Sequence, residues 1–251
     1  MRPLKATLFA MLAMGRSMSV SAHDAGAARS VAAPFGPPVD DQRVYAHALL
    51  EQLEYRAAGS DSVSRWDGEA WIGTDTNRLW IRSEGVLDRH GDVQDGQHEL
   101  LYDRPVTSYW DLQVGVRTDL DSAPERTWAA VGVEGLAPYF LHVSGTAYAR
   151  GGGHFAAKAR LSYDLLLTQR LILQPQLELN AYSSIDPRRR NGSGISDVDA
   201  GLRLRYEIRR KFAPYLGVSY QRSFGRTAQY AQMDGQSAKT FNILMGIRSW
   251  L

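Results

Sequence analysis

The strongest constraint in this chain is a two-residue period that recurs, in long segments, through most of its length. Leu171, Leu173, Leu177 and Leu179 stand against Gln174, Gln176, Glu178 and Asn180. After a turn-rich interval, Val198, Leu202, Leu204, Tyr206 and Ile208 stand against Asp197, Asp199, Arg203, Arg205 and Glu207. Successive side chains of a strand point to opposite faces, so each segment reads as a strand with one apolar and one ionic face. A soluble sandwich would cover the apolar face with a second sheet. Segments this long, numerous and regular instead match a closed wall whose outside meets hydrocarbon and whose inside meets a polar bore. The period predicts an all-β fold, a single antiparallel transmembrane β-barrel.

Twelve segments carry the pattern: 46–57, 64–73, 77–87, 96–104, 109–120, 126–136, 138–149, 154–166, 169–183, 196–209, 212–224 and 239–251. Single-chain bacterial barrels have even strand numbers. Ten strands is the alternative, because 46–54 suits a short helix equally well on propensity. Short joins at Thr74-Asp75-Thr76, Pro105-Val106-Thr107-Ser108, Ala137-Pro138, Thr168-Gln169 and Arg210-Lys211 alternate with longer, polar ones around 88–95, 185–195 and 225–238. Bacterial barrels keep periplasmic turns short and let outer loops grow, so the alternation puts both termini in the periplasm of a Gram-negative cell. Tyr109-Trp110, Trp128, Tyr139-Phe140, Tyr215 and Trp250 fall near segment ends, where interfacial aromatic belts are expected. Pro175 interrupts an otherwise regular segment and predicts a bulge.

Composition narrows the address. Past the first residues no apolar run approaches the roughly 20 residues of a membrane helix, and the mean hydropathy is −0.33. The 29 basic and 27 acidic residues nearly cancel, which gives no support to nucleic-acid binding. Cysteine is absent, removing disulfides, thiolate metal sites and thiol catalysis together. Arg2 and Lys5 precede an apolar stretch, and small residues end at Ser21-Ala22, the pattern of a secretory signal peptide over 1–22. A linker rich in Gly, Ala, Pro and Ser follows over 23–43, and the barrel occupies 44–251.

The same parity assigns the bore. It collects Glu54, Arg56, Asp67, Glu69, Arg78, Arg82, Glu84, Asp111, Arg117, Glu178, Asp197, Asp199, Arg203, Arg205 and Glu207, both signs interleaved. Two readings fit: an ion-paired plug that serves stability, or a narrow pore for small ions. A wide porin is disfavoured. An enzymatic alternative rests on His142-Val143-Ser144, which sets an imidazole and a hydroxyl on one strand face, as in a phospholipase-like barrel hydrolase. Leu141, Val143 and Ala147 mark the lipid side, which sends His142 and Ser144 inward, away from any lipid substrate.

Three runs stand out as Asn77-Arg78-Leu79-Trp80-Ile81-Arg82-Ser83-Glu84-Gly85, Tyr109-Trp110-Asp111-Leu112-Gln113-Val114-Gly115-Val116-Arg117 and Arg126-Thr127-Trp128-Ala129-Ala130. Two more are Tyr163-Asp164-Leu165-Leu166-Leu167-Thr168-Gln169-Arg170-Leu171-Ile172-Leu173-Gln174-Pro175 and Leu202-Arg203-Leu204-Arg205-Tyr206-Glu207-Ile208-Arg209-Arg210. In these runs the chain resembles the copper-resistance protein B family of bacterial outer membranes. The resemblance implies an outer-membrane barrel of copper resistance with copper ions as cargo. It would bind them, pass them across the membrane or sequester them in the envelope, beside a periplasmic copper carrier or oxidase. Such relatives carry a Met- and His-rich segment ahead of the barrel, whereas four of the six methionines here are Met1, Met11, Met14 and Met18. Imidazole is the remaining copper-capable group. The candidates are His142 and His23, the latter because cleavage after Ala22 would join a free amine to its own imidazole.

Overall fold

In a computed structural model the chain forms a closed antiparallel barrel with twelve wall positions. The structure describes residues 43–58, 61–120 and 126–251. The stretches expected to be a signal peptide and, up to residue 42, a linker lie outside them, His23 included. The strands are β1 (Tyr45–Ala58), β2 (Asp61–Gly73), β3 (Arg78–Leu87), β4 (Val93–Pro105), β5 (Trp110–Asp119), β6 (Arg126–Ala137) and β7 (Leu141–Arg150). They continue as β8 (His154–Ser162), β9 (Leu165–Leu166), β10 (Leu171–Tyr182), β11 (Gly194–Tyr206), β12 (Phe212–Ser223) and β13 (Lys239–Trp250). Apart from β8 and β9, which do not pair with each other, each strand pairs with its chain neighbours, and β1 with β13 closes the ring. β8 and β9 share one wall position, both against β10. No helix among the described residues is long and apolar enough to cross a membrane.

The helix-prone start of β1 is a strand because it must pair on both sides, with β2 and β13. Cross-strand hydrogen bonds outweigh a preference worth tenths of a kcal/mol per residue. Its conflict with the ladder is released at a bulge between Leu50 and Gln52. There Glu51 and Gln52 both reach inward, to Gln174 and Arg248 and to Gln176 respectively.

Pro175 does not make a bulge. The register of β10 runs unbroken past it on β11, where Pro175 faces Leu202. On the other side Gln176 pairs with Ser162 and Leu173 with Leu165, a register that skips no residue. The Tyr163 amide donates to the Pro175 carbonyl at 3.1 Å, and the proline has no N–H to return. That half-made pair is what separates β9 from β8.

Outward residues of the wall are apolar and exposed: Leu112, Val114, Val116, Val131, Val133, Leu202, Leu204, Leu216 and Ile243. Inward residues divide the bore. Trp80, Leu101, Trp128, Ala130, Tyr148 and Ala156 form an apolar cluster along β3, β4 and β6 to β8. Charged side chains fill the rest.

Three of the aromatics expected at the interfaces point inward instead. Trp128 and Tyr215 are buried, and Trp250 shares the inward parity of buried Asn242 and Leu244. Each spends its polar handle inside or at the rim. The Trp128 indole donates to Asp119 at 3.0 Å, the Tyr215 hydroxyl to Glu54 at 3.0 Å and the Trp250 indole to the Arg210 carbonyl at 2.7 Å. A buried carboxylate needs donors, and an amphipathic ring fills bore volume while supplying one.

The long joins cluster at one end. The one after β12 contains a helix, α1 (Gly225–Met233), with no buried residue. It is tied down through Thr227, which accepts from the Gly192 amide at 2.8 Å and meets the Ser196 hydroxyl at 2.9 Å.

Candidate functional site: an ion-paired bore

At mid-height the bore is crossed by a continuous network of arginines and carboxylates. Arg203 grips Glu54 with Nε and Nη2, both at 3.0 Å, and Glu54 also holds Arg56 at 2.6 Å. Arg56 reaches Asp199 at 2.6 Å, and Asp199 is shared with Arg65 at 3.3 Å. Arg65 spans to Glu178 at 2.8 Å, which also receives Arg160 at 2.9 Å and Lys158 at 3.4 Å. Arg160 continues to Asp67 at 2.8 Å and Glu84 at 2.7 Å, and Lys158 also pairs with Glu84.

These contacts do not run along the wall. Arg65 is on β2 and Glu178 on β10, with β1, β13, β12 and β11 between them by the shorter route. Arg160 on β8 and Glu84 on β3 are likewise separated by β4 to β7. The bonds are struts across the lumen. The void among Arg56, Arg65, Gln176, Glu178, Asp199, Gly201 and Arg203 does not admit a water molecule. Long side chains locked in charge-assisted pairs therefore fill the bore between β1, β2, β10 and β11, and Arg160 and Lys158 cross the other side to Glu84.

Two further groups flank the struts. Toward the short turns, Arg82 joins Glu69 at 3.2 Å, Gln113 at 3.1 Å and Glu134. Arg78 lies 3.1 Å from Asp111 and 3.5 Å from the fully buried Asp103. Arg205 holds Asp164 at 2.8 Å. The His47 ring sits 6.1 Å from that of Trp71 and 5.9 Å from that of Trp250.

Toward the long loops, Arg117 pairs with Asp119 at 2.9 Å and lies over the Tyr148 ring, whose hydroxyl donates to Glu99 at 2.5 Å. Arg189 descends from the loop after β10 to Asp119 at 3.0 Å and Asp95 at 2.7 Å. That loop is pinned by Arg126 on Asp186. Burial pushes the Asp186 carboxyl up, but the hydrogen bond and charge of Arg126 and the amides of Arg189 and Arg188 outweigh it. They hold the group below the ordinary aspartate range.

The structure thus brings Arg78, Arg82, Glu84, Asp111, Arg117, Glu178, Asp199, Arg203 and Arg205 into ion pairs inside the barrel. Asp197 accepts from Asn180 at 2.9 Å. Glu207 lies beyond the end of β11, half-buried, its amide donating to the Arg170 carbonyl. His142 and Ser144 share the inward parity of buried Thr146 and Tyr148. Among the described residues, no three His, Cys, Asp or Glu side chains are placed to hold a metal ion.

Arg65, Lys158, Arg160, Glu99, Asp103 and Glu134 were not among the residues expected in the bore, yet all engage it, beside Asp119, which the alternation of β5 places there. The signal was present. Arg65 shares the parity of Asp67 and Glu69, and Glu134 that of the inward Ala130 and Trp128.

A closed barrel with an apolar outside and an ion-paired interior defines an outer-membrane β-barrel protein. Residues 44–251 match the family model described as "Copper resistance protein B precursor (CopB)". The chain is 42% identical over 215 residues to "Copper resistance protein B" of Escherichia coli, covering 86% of this chain and 72% of that protein. It is also 42% identical to the "Copper resistance protein B homolog" of Pseudomonas syringae pv. tomato, covering 86% and 73%. The chain belongs to the copper-resistance protein B family. Among solved structures the NanC porin overlays with a TM-score of 0.52 at 14% identity, covering 82% of this chain and 100% of that one, a likeness of fold.

Proposed function

We propose that this barrel handles copper ions at the outer membrane through its charged bore, with the cross-lumen struts acting as a gate rather than leaving a standing pore. The observation that carries this reading is the packing among Arg56, Arg65, Glu178, Asp199 and Arg203, where no water-sized space remains. An ion can pass such a level only by exchanging with a guanidinium or ammonium on a carboxylate. A divalent cation that accepts oxygen ligands, such as Cu(II), competes for carboxylate oxygen far better than a neutral solute does. Glu54, Glu84, Glu178 and Asp199 form the ladder on which that exchange takes place. His142 and, in a chain cut after Ala22, His23 add imidazoles on the short-turn side of the path.

In this reading the short turns and both chain ends face the periplasm, where a copper carrier or oxidase meets the barrel, and the long loops face outward. The role is transport or retention of an ion, with no bond-making chemistry assigned. The test is the copper content of the periplasm and the copper tolerance of a deletion strain, restored with the native chain, Glu178→Ala or Arg203→Ala. Loss of tolerance on deletion, recovery with the native chain and altered periplasmic copper with the variants are expected. Unchanged copper content in all of these strains would mean the barrel has another cargo.

A further inference from the structure

The short-turn rim is chemically two-sided. The β4–β5 turn exposes Val106 and Tyr109, and the β6–β7 turn exposes Tyr139 and Phe140, 88% and 76% accessible. These turns are joined, since the Leu136 amide donates to the Tyr109 carbonyl at 2.9 Å. Gly135 makes room for that carbonyl, which a Cβ would strike. Next along the rim, Leu166 and Leu167 are exposed as well. Across the barrel the β2–β3 turn is Thr74-Asp75-Thr76-Asn77, and the segment before β12 is Arg209-Arg210-Lys211. Apolar residues are exposed on that side as well, among them Val44, Tyr45, Ile72, Ile208, Phe212 and Leu251, but there they are interleaved with Arg43, Arg209, Arg210 and Lys211.

The aromatic turn is also strained. Tyr139 and Phe140 take φ of 67° and 62°, a left-handed conformation that bulky residues seldom adopt. Such strain persists where surroundings enforce it, yet neither ring is buried against the barrel. The turn thus presents both rings away from the barrel. Directly above them the same strands present Leu112, Val114, Val131 and Val133 to hydrocarbon, so the patch continues the lipid-facing wall. Tyr139, with an apolar ring and a wet hydroxyl, matches the headgroup boundary, and Phe140 beside it matches the hydrocarbon edge of that boundary.

We infer that the turns at 105–110 and 138–140 are sunk in the lipid interface, while those at 74–77 and 207–211 stand in water, so the barrel sits tilted toward its aromatic side. This rests on the transmembrane reading of the barrel. Because the chain has no cysteine, each site can be labelled singly. The full chain, reconstituted in phosphatidylcholine vesicles, would carry an environment-sensitive fluorophore on Tyr139→Cys, Phe140→Cys, Asp75→Cys, Arg210→Cys or Val131→Cys. Heat-modifiable gel migration would confirm that each variant is folded.

Labels at 139 and 140 are expected to emit blue-shifted light, be quenched by headgroup-proximal brominated lipid and resist iodide, with those at 75 and 210 showing the reverse. Labels at 139 and 140 as iodide-accessible as that at 75, with 131 protected, would overturn the tilt alone. An iodide-accessible label at 131 would overturn the transmembrane wall itself.

Discussion

Glu178→Gln is the sharpest perturbation of the cross-lumen network. The carboxylate accepts from Arg65 at 2.8 Å and Arg160 at 2.9 Å and lies 3.4 Å from Lys158, with its side chain 8% exposed. The amide keeps the volume and one acceptor oxygen but removes the charge that offsets three cations. Stripping a buried pair of one partner costs about 3–5 kcal/mol when the other is left unmatched. Here Arg65 retains Asp199, Arg160 retains Asp67 and Glu84, and Lys158 retains Glu84. The expected cost is therefore lower, about 2–3 kcal/mol. For a chain of this size each kcal/mol shifts the thermal midpoint by about 2–4 °C, so a drop of about 4–12 °C is expected. Heating the folded protein in detergent and following its gel migration measures it. Glu178→Gln combined with Arg65→Met should cost less than the sum of the two single changes, since each removes what strands the other. A midpoint within about 1 °C of the native chain would refute the argument, because it would mean the struts stand in water and are worth little.

Tyr148→Phe should destabilise the barrel by about 1–3 kcal/mol, because Glu99 loses its 2.5 Å phenol donor within a buried cluster; an unchanged unfolding midpoint would show that Glu99 is hydrated instead. Acid should release the loop after β10. The Asp186 carboxyl is depressed in the folded chain, so its contribution is present above the ordinary aspartate value of 3.8 and is lost as pH falls through the lower folded value. Amide-exchange protection at Arg188 and Arg189 should fall there once intrinsic rates are removed. Protection unchanged down to about pH 2 would break the link between Arg126, Asp186 and the loop.

Much of the wall was legible because its physics is local. Side-chain parity is fixed within a strand, so Leu202, Leu204 and Tyr206 outside and Arg203 and Arg205 inside follow from the sequence without knowing the partner strands. The short joins were equally readable from turn-forming residues. What could not be read was anything set by stagger across the bore. That Arg65 meets Glu178, 113 residues away, depends on the tilt and register of the whole ring, which no local pattern encodes.

Parity also says nothing of why an aromatic ring sits on the inner face. Trp128 and Tyr215 were expected in interfacial belts because that is where such rings are common, but Asp119 and Glu54 needed donors. Glu51 was hidden by a bulge that shifts the inward parity of β1 for half its length. The α1 helix was invisible for a different reason: it has no buried face, so no periodicity marks it.

Conductance in a planar bilayer tests the central claim most directly. Purified protein inserted in potassium chloride should show no steady ionic current, because the Arg65, Arg160 and Glu178 struts close the bore; Glu178→Gln or added copper salt should bring on opening events. A steady, copper-indifferent current from the native chain, of the size an open porin passes, would contradict it.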